Sequence, residues 1–571
     1  MLQPVIKSTF LALLLTLTAC GGGSGGSGGG DKSDPGFKVS DTTPAHEAVD
    51  VSPDAILAVS FNNDIFAKSA TDDSGAILLK RTGSSTELER QVVADTARSL
   101  TIEPDLPLAL LTNYTVTVTD KVTDIGGTPL SAEHNWSFTT RDGAWGDTAQ
   151  PVGEAKAAAL PEISVDKAGN ALAVWRDEIG INDSAYSLYA SYYDVDAGSW
   201  EPRVELYETK ERLTSAWAFD AKLDSDGNAM VVWFRREPGN KYQVFARYRS
   251  FDAASWEDTK LISDLSIGKY AYPSVGFDSS GNAMAVWTQE DSNSDSILAF
   301  NQYDATANSW GTPKEAFKLD GVASSSHFQQ ALAVDQDGNA VVVWPQDVTG
   351  TTIKTARVYA NRYRVDTGVW TTKKEIGRHQ AENQAKDLRV TFDGSGNAFA
   401  AWWLVTPAPD NNFHAFVNRF DSLKGGWGTS TRLKATRQDE CGRHPSVAAN
   451  ANGRALVAFE CGEIYSSHYR PDSDNWSAVE KISKSGGSNV NVSMDSSGNA
   501  TAVWAERSNS DDLAYANRYN SVEGTWQGPA FIGQGANAKA NLPKVATDAS
   551  GQAVSIWQDD NFIFYNRFSA E

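Results

Sequence analysis

Four of the seven histidines, His379, His414, His444 and His468, stand in one stretch late in the chain. Around them lie Arg378, Arg389, Trp403, Arg437, Asp439, Glu440, Arg443 and Glu460. Imidazole, guanidinium, carboxylate and indole in one region can hold a polar ligand: donors and acceptors meet hydroxyls or acidic groups, and an aromatic face meets a sugar ring. We single out His379, Trp403, His414, Arg443 and His444 as candidate ligand-binding residues. No two histidines have a His-x-x-x-His metal spacing. Outside a glycine-serine tract near the N-terminus there is no Gly-x-Ser-x-Gly elbow, phosphate loop or dinucleotide fingerprint. The sequence therefore nominates neither a metal ligand nor a catalytic residue.

Two further sets bear on chemistry. Glu162, Asp220 and Arg389 each stand four residues before an aspartate that opens a turn, at Asp166, Asp224 and Asp393. If those turns sit round an axis, the three reach its mouth, and two carboxylates facing across it could cleave a glycosidic bond. Asp224-x-Asp226-Gly227-Asn228 and Asp335-x-Asp337-Gly338-Asn339 look like half of a calcium loop but lack the distal bidentate glutamate. Calcium is the one cofactor they could take; otherwise none is expected.

What positions these residues is a repeat. A tryptophan recurs roughly every fifty residues, the spacing of propeller blades: Trp145, Trp200, Trp256, Trp310, Trp370, Trp427, Trp476 and Trp526. Each precedes an Asp-x-x-Gly-Asn-type turn, and a second aromatic closes the apolar run after the turn, from Trp175 to Trp557, with Phe459 in the sixth copy. Aspartate at the first position of such a turn caps backbone amides, and glycine at the fourth takes positive φ. Each unit reads as four short strands, the first innermost, because side chains two residues before the turn are mostly small (Ser164, Gly276, Ala333, Ala448, Ala546) with Lys222 the exception. The final unit lacks its last strand, so the segment from Trp145 to Val152 is expected to complete it beside Phe562–Phe568 and close the ring. Groups present in every unit are expected to hold the units together. The alternative is a lectin-like ring of equivalent sugar pockets.

The third strand and following turn, as in Tyr359-Ala360-Asn361-Arg362-Tyr363 through Thr367-Gly368-x-Trp370, resemble the repeat of quinoprotein-type eight-bladed propellers over about a dozen residues per unit. The aspartate turn resembles the Asp-box of sialidase-type propellers, with one extra residue between Asp and Gly.

The N-terminus reads as an address. Lys7 and the apolar run Phe10 to Leu17 form a signal-like segment ending in Leu17-Thr18-Ala19-Cys20. This resembles the lipobox of bacterial lipoproteins, which implies cleavage before Cys20, lipidation of that cysteine and membrane attachment through lipid alone. Gly21, where inner-membrane lipoproteins usually carry Asp, implies the outer membrane. The tract Gly21 to Gly30 is a flexible tether. Residues 40 to 140 read as strands, among them the alternating Tyr114-Thr115-Val116-Thr117-Val118. With Thr43-Pro44-Ala45, Val51-x-Pro53, Phe61-Asn62, Asp124-x-Gly126 and Ser137-Phe138-Thr139-Thr140, this segment resembles the bacterial Ig-like domains of surface-layer proteins, which implies a presenting module and no chemistry. Cys441 and Cys461 flank the turn at Asn450–Gly453 almost symmetrically, so folding that hairpin brings them into register as a disulfide. A net charge of −22 argues against nucleic acid or anionic lipid as partners.

The expectation is an all-β chain: a signal peptide (1–19), a lipidated tether (20–39), a small Ig-like β-sandwich (40–141) and an eight-bladed β-propeller (142–571). Its expected role is non-catalytic binding of a glycan or a protein partner at the outer membrane. A polysaccharide hydrolase or lyase at the propeller axis and an envelope-assembly scaffold are the alternatives.

Overall fold

An aspartate that opens a tight turn can satisfy several amides at once, and the computed structural model shows how fully it does so. The structure describes residues 36–570 apart from 72–73, 154–158, 179–185, 209–217, 238–240, 254, 264–271, 291–294, 320–329, 348–354, 381–384, 407–411, 436–440, 509–510, 535–539 and 560–561. The signal segment, Cys20 and the tether lie outside the described residues. In the first turn Asp166 Oδ1 accepts the N–H groups of Ala168, Gly169 and Asn170, each at 2.9 Å, while Oδ2 accepts Asn170 Nδ2 at 2.7 Å. Asn170 Oδ1 then accepts the N–H of Val195, at the start of the next turn in the same sheet. The same relay recurs through Asn228, Asn282, Asn339, Asn397 and Asn499.

These turns join the first two strands of eight open antiparallel sheets. We number them by their first strands: Ala159–Val165, Phe219–Leu223, Ser274–Phe277, Ala331–Val334, Lys386–Phe392, Arg443–Ala449, Gly487–Met494 and Asn541–Thr547 for sheets 1 to 8. The first strand of each sheet packs beside that of the next, and that of sheet 8 packs beside that of sheet 1. In sheet 8 the third strand, Phe562–Ser569, pairs with Ala144–Trp145 and Gln150–Gly153 from the other end of the repeat region.

Two devices join the sheets. Apolar side chains fill each gap, including the gap between sheets 8 and 1, where Val554, Ile556 and Ile563 meet Ala171, Ala173 and Trp175. The second-strand tryptophans Trp175, Trp287, Trp344, Trp402, Trp504 and Trp557 and the substituted Phe459 are fully buried, so each contributes roughly 3 kcal/mol of transfer free energy. Polar side chains of one first strand also accept amides of the next: Ser164 from Leu223 N, Asp220 from Val275 N, Ser446 from Val492 N and Asn491 from Val545 N. An inner edge that would otherwise expose unpaired N–H groups is satisfied by its neighbour.

Residues 37–140 form a separate two-sheet sandwich. One sheet has Val39–Thr43, Leu57–Phe61, Ser99–Pro104 and Arg90–Thr96; the other has Ala48–Val51, His134–Thr140, Asn113–Val118 and Ile77–Arg81. Leu57, Val59, Ile102, Tyr114, Val116, Trp136 and Phe138 build its core, as alternation of buried residues along the strands requires. The sandwich docks on the turns of sheets 7 and 8. The N–H of Leu110 donates to Ser550 O at 2.7 Å, Thr112 Oγ1 donates to Ser497 Oγ at 2.7 Å, and Asn499 Nδ2 donates to Leu110 O. Beside them Arg518, 4% exposed, bridges Asp142 (3.5 Å) and Asp495 (3.4 Å).

Candidate functional site

Antiparallel order puts the aspartate turns at one end of every sheet. The connections between second and third strands, and from each sheet to the next, lie at the other end. We call these the turn face and the loop face. Where the first strands leave the loop face, five sheets carry a bulge, marked by register shifts at Ala159/Glu162, Lys386/Arg389, Arg443/Ser446, Ser488/Asn491 and Asn541/Lys544. In each, the residue six before the turn is left-handed: Leu160 (φ 55°), Asp387 (47°), His444 (47°), Asn489 (56°) and Leu542 (49°). A side chain in this conformation costs about 1 kcal/mol, and bulges re-aim the side chains beside them.

In sheets 5 and 6 two such residues meet. His444 Nδ1 lies 2.7 Å from Asp387 Oδ2, and Trp403 Nε1 donates to the same oxygen at 2.5 Å. The Trp403 and His444 rings meet edge to face at 5.6 Å. Lys386 Nζ stands 5.5 Å over Trp403, and Arg443 lies 3.3 Å over Phe413. Burial works to raise the Asp387 carboxyl, but hydrogen bonds from His444 and Trp403, with the charges of His444 and Arg389, hold it at about 2. The hydrogen bond to Asp387 pushes His444 above its usual value against the opposing effect of burial, helped by Glu460. The His444 imidazole is 42% exposed, and its Nε2 makes no hydrogen bond to the described residues. A carboxylate holding one ring nitrogen and water at the other is an arrangement that can donate to an acidic group or exchange a proton.

The sulfurs of Cys441 and Cys461 are joined, with Cα atoms 5.2 Å apart, and pin the segment entering His444's strand to the end of its hairpin. Between them Gly442 lies so close to the third strand of sheet 5 that a Cβ would come 2.7 Å from Ala415 N.

The other sequence candidates go elsewhere. Along Phe413–Asp421, Phe413 and Ala415 face sheet 6, while His414 and Phe416 face sheet 4. His379 stacks on Phe416 at 3.9 Å and meets Ser430 Oγ, and burial pulls it down to about 4. His414 is buried beside Thr406. His468 stacks on Tyr519 and pairs with Glu480. Trp403 is only 6% exposed, so it serves Asp387 as a donor and offers no open face to a sugar. Arg437, Asp439 and Glu440 lie outside the described residues.

Charged groups on the first strands of four sheets act on one another. Lys544 Nζ meets Glu162 Oε1 at 2.8 Å, and Lys222 Nζ meets Asp220 Oδ1 at 2.7 Å. Enclosure raises the Glu162 carboxyl, but Lys544, Lys222 and Arg389 together pull it below the ordinary range. Sequence reasoning passed over Asp387, Lys222 and Lys544 as site residues. The signal was available: Asp387 and His444 share the position six before the turn, and Lys544 shares Glu162's position four before it.

The turn aspartates spend their oxygens on amides, and Asp226 Oδ1 pairs with Lys167 at 2.7 Å. No group of three or more His, Cys, Asp or Glu side chains among the described residues is arranged to hold a metal ion. On the turn face, hollows of about 500 and 320 Å³ lie in equivalent gaps, one walled by Tyr303 and Trp310, the other by Trp427, Tyr469 and Trp476. No helix among the described residues is long and apolar enough to cross a membrane.

Residues 31–140 match the family described as bacterial Ig-like domain. No curated protein matches the chain. Among solved structures, the chain is similar to the polysaccharide lyase Uly1 at 9% identity (73% of this chain, 90% of that one, TM-score 0.43). It is also similar to a point mutant of NanB sialidase from Streptococcus pneumoniae at 10% identity (93% and 92%, TM-score 0.32). The β-propeller domain of the Trilobed protease from Pyrococcus furiosus aligns at 9% identity (66% and 98%, TM-score 0.38). The neighbours are propeller-like, and likeness at this level says nothing about chemistry.

Proposed function

We propose that the chain is an outer-membrane lipoprotein, anchored through Cys20, in which the Ig-like sandwich carries a closed eight-bladed propeller whose loop face binds a glycan. Ring closure is supported by the sheet 8 pairing across the ends of the repeat region. The turn glycines support it too, each set against the polar side chain of the preceding sheet's turn and including Gly169 against Asp548. The observation that carries the binding reading is the group at the mouth between sheets 5 and 6. Strained, bulged backbone there holds Asp387 and His444 together, and leaves the imidazole open to solvent. Nothing in the core requires that arrangement, since the other three bulged sheets carry Leu160, Asn489 and Leu542 at the same position.

The second reading is a polysaccharide hydrolase or lyase, and the open Nε2 of His444 is what favours it. A soluble protein beginning at Asp31 separates the two when passed over immobilised polysaccharides, with and without calcium, while reducing and unsaturated ends are followed. Retention without new ends is the expected result. New ends that disappear in the His444→Ala variant would establish the enzyme instead. Calcium-dependent retention would instead point to the turn face, where the turn carboxylates lie.

A further inference from the structure

The channel mouth holds its charges in an uneven set. Three carboxylates there each have a basic side chain at hydrogen-bonding distance: Glu162 with Lys544 (2.8 Å), Asp220 with Lys222 (2.7 Å) and Asp387 with His444 (2.7 Å). Arg389 is the fourth basic group. It is exposed, its Nη1 donates to Leu388 O at 3.0 Å, and no carboxylate of the described residues lies within ion-pair distance of it. Its field nevertheless reaches Glu162 in sheet 1, Lys222 in sheet 2 and Asp387 in its own sheet. Arg389 and Glu162 stand at the same strand position, four sheets apart in a ring of eight, so they face each other across the axis. An unpaired guanidinium therefore occupies the centre of the loop face.

The chain carries a net charge of −22, yet the structure gives this arginine no carboxylate while each of the three acids near it has a basic partner. An exposed guanidinium with no carboxylate partner is a fork for a planar or tetrahedral anion, held by two parallel N–H donors.

We infer that Arg389 anchors an anionic substituent, a carboxylate or sulfate, on the glycan bound at this mouth, so that the ligand is an acidic polysaccharide. This rests on the glycan-binding reading above and narrows it. The chain's net charge of −22 repels polyanions at long range, so binding of one requires a local site and not a general field.

The test passes the wild-type protein and its Arg389→Gln and Arg389→Lys variants over immobilised polygalacturonate, dextran sulfate and uncharged dextran. A chelator is present so that no divalent ion bridges two anionic surfaces, and thermal unfolding verifies that each variant is folded. Wild-type protein is expected to be retained on at least one of the two acidic polymers and not on dextran. Loss of a charge-assisted fork weakens that retention on the order of ten- to a hundredfold in Arg389→Gln, with partial recovery in Arg389→Lys. Which acidic polymer retains the protein distinguishes carboxylate from sulfate. Equal retention on dextran, or retention indifferent to Arg389→Gln, would overturn this inference while leaving glycan binding intact. No retention on any polymer would overturn both.

Discussion

At the scale of single residues, the Asp387–His444 pair makes a pH-dependent contribution whose sign follows from its two shifts. His444 is raised on folding, so its share is complete below the unfolded value near 6.5 and is lost as pH rises through the folded value. Asp387 is lowered to about 2, so its share is complete above its ordinary value of 3.8 and is lost as pH falls through 2. The pair contributes most between about pH 4 and 6.5. In Asp387→Asn the stability loss is expected to be greatest in that window, on the order of 1 kcal/mol for a half-exposed imidazole, and to shrink above it. The His444 ring protons, followed by NMR, should titrate at lower pH in the variant. An unchanged His444 titration would show that the carboxylate does not set it. His444, Trp403 and Arg443 could be nominated from the sequence because they break a repeat. Asp387 shows only when the units are aligned, six before its turn like His444, because its partnership is made by a left-handed bulge that leaves no mark on periodicity. His379 belongs to sheet 4, and His414 is turned from the rest by parity, since neighbours on a strand face opposite sides.

At the scale of the element, the repeating turn is a wired unit. The aspartate gathers three amides, and the asparagine that follows ties it to the next turn of the same sheet. Sheet 8 breaks the wiring: Gln552 stands where most turns have Asn, and its Nε2 bonds Ser550 Oγ. Asp548 Oδ2 loses the amide donor that other turns supply, and burial pushes the carboxyl up to about 6 despite hydrogen bonds from Ser550, Gln552 and Gly551. A raised carboxyl costs stability at neutral pH and returns it as pH falls through 6 towards 3.8. Gln552→Asn is expected to restore the donor, lower the Asp548 titration and add about 1 kcal/mol at pH 7, measured as the urea unfolding midpoint at pH 7 and at pH 5. The gain should be smaller at pH 5; a gain equal at both would place its origin elsewhere. The Asp-x-x-Gly device could be read from the sequence because local turn chemistry dictates it. The second half of the relay could not, because it joins residues about 25 apart, as Val195 to Asn170.

At the scale of the whole molecule, a buried charge cluster sits where the sandwich leads into the repeats. Arg518 lies between Asp142, which follows the sandwich, and Asp495 of sheet 7, and its guanidinium stands 4.9 Å from the Phe568 ring of sheet 8. Burial already raises Asp495 despite that arginine. Arg518→Met leaves two enclosed carboxylates without their cation, a loss of roughly 3–5 kcal/mol. It should convert a joint thermal transition of sandwich and repeats into two separate ones, visible by calorimetry. Retention of a single transition would mean that the apolar contacts round Leu110 suffice to couple them. The order of sandwich and repeats was legible because turn signals and alternation are local. The docking was not, because Leu110 and Arg518 belong to patterns that each looked complete alone.

That docking also bears on how the proposed ring would come apart. Such a ring has one place where its circumference is held by no covalent link, and in the proposed closure it is sheet 8, where Ala144–Trp145 and Gln150–Gly153 lie against Phe562–Ser569. The sandwich sits over this seam, bonded to Ser550 of sheet 8 and to Asn499 of sheet 7. Unzipping must therefore undock a whole domain before the first strand can leave. The barrier to opening rises by contacts that a partly opened ring has already lost, so the docking acts chiefly on the rate of unfolding and on how long the chain survives proteases.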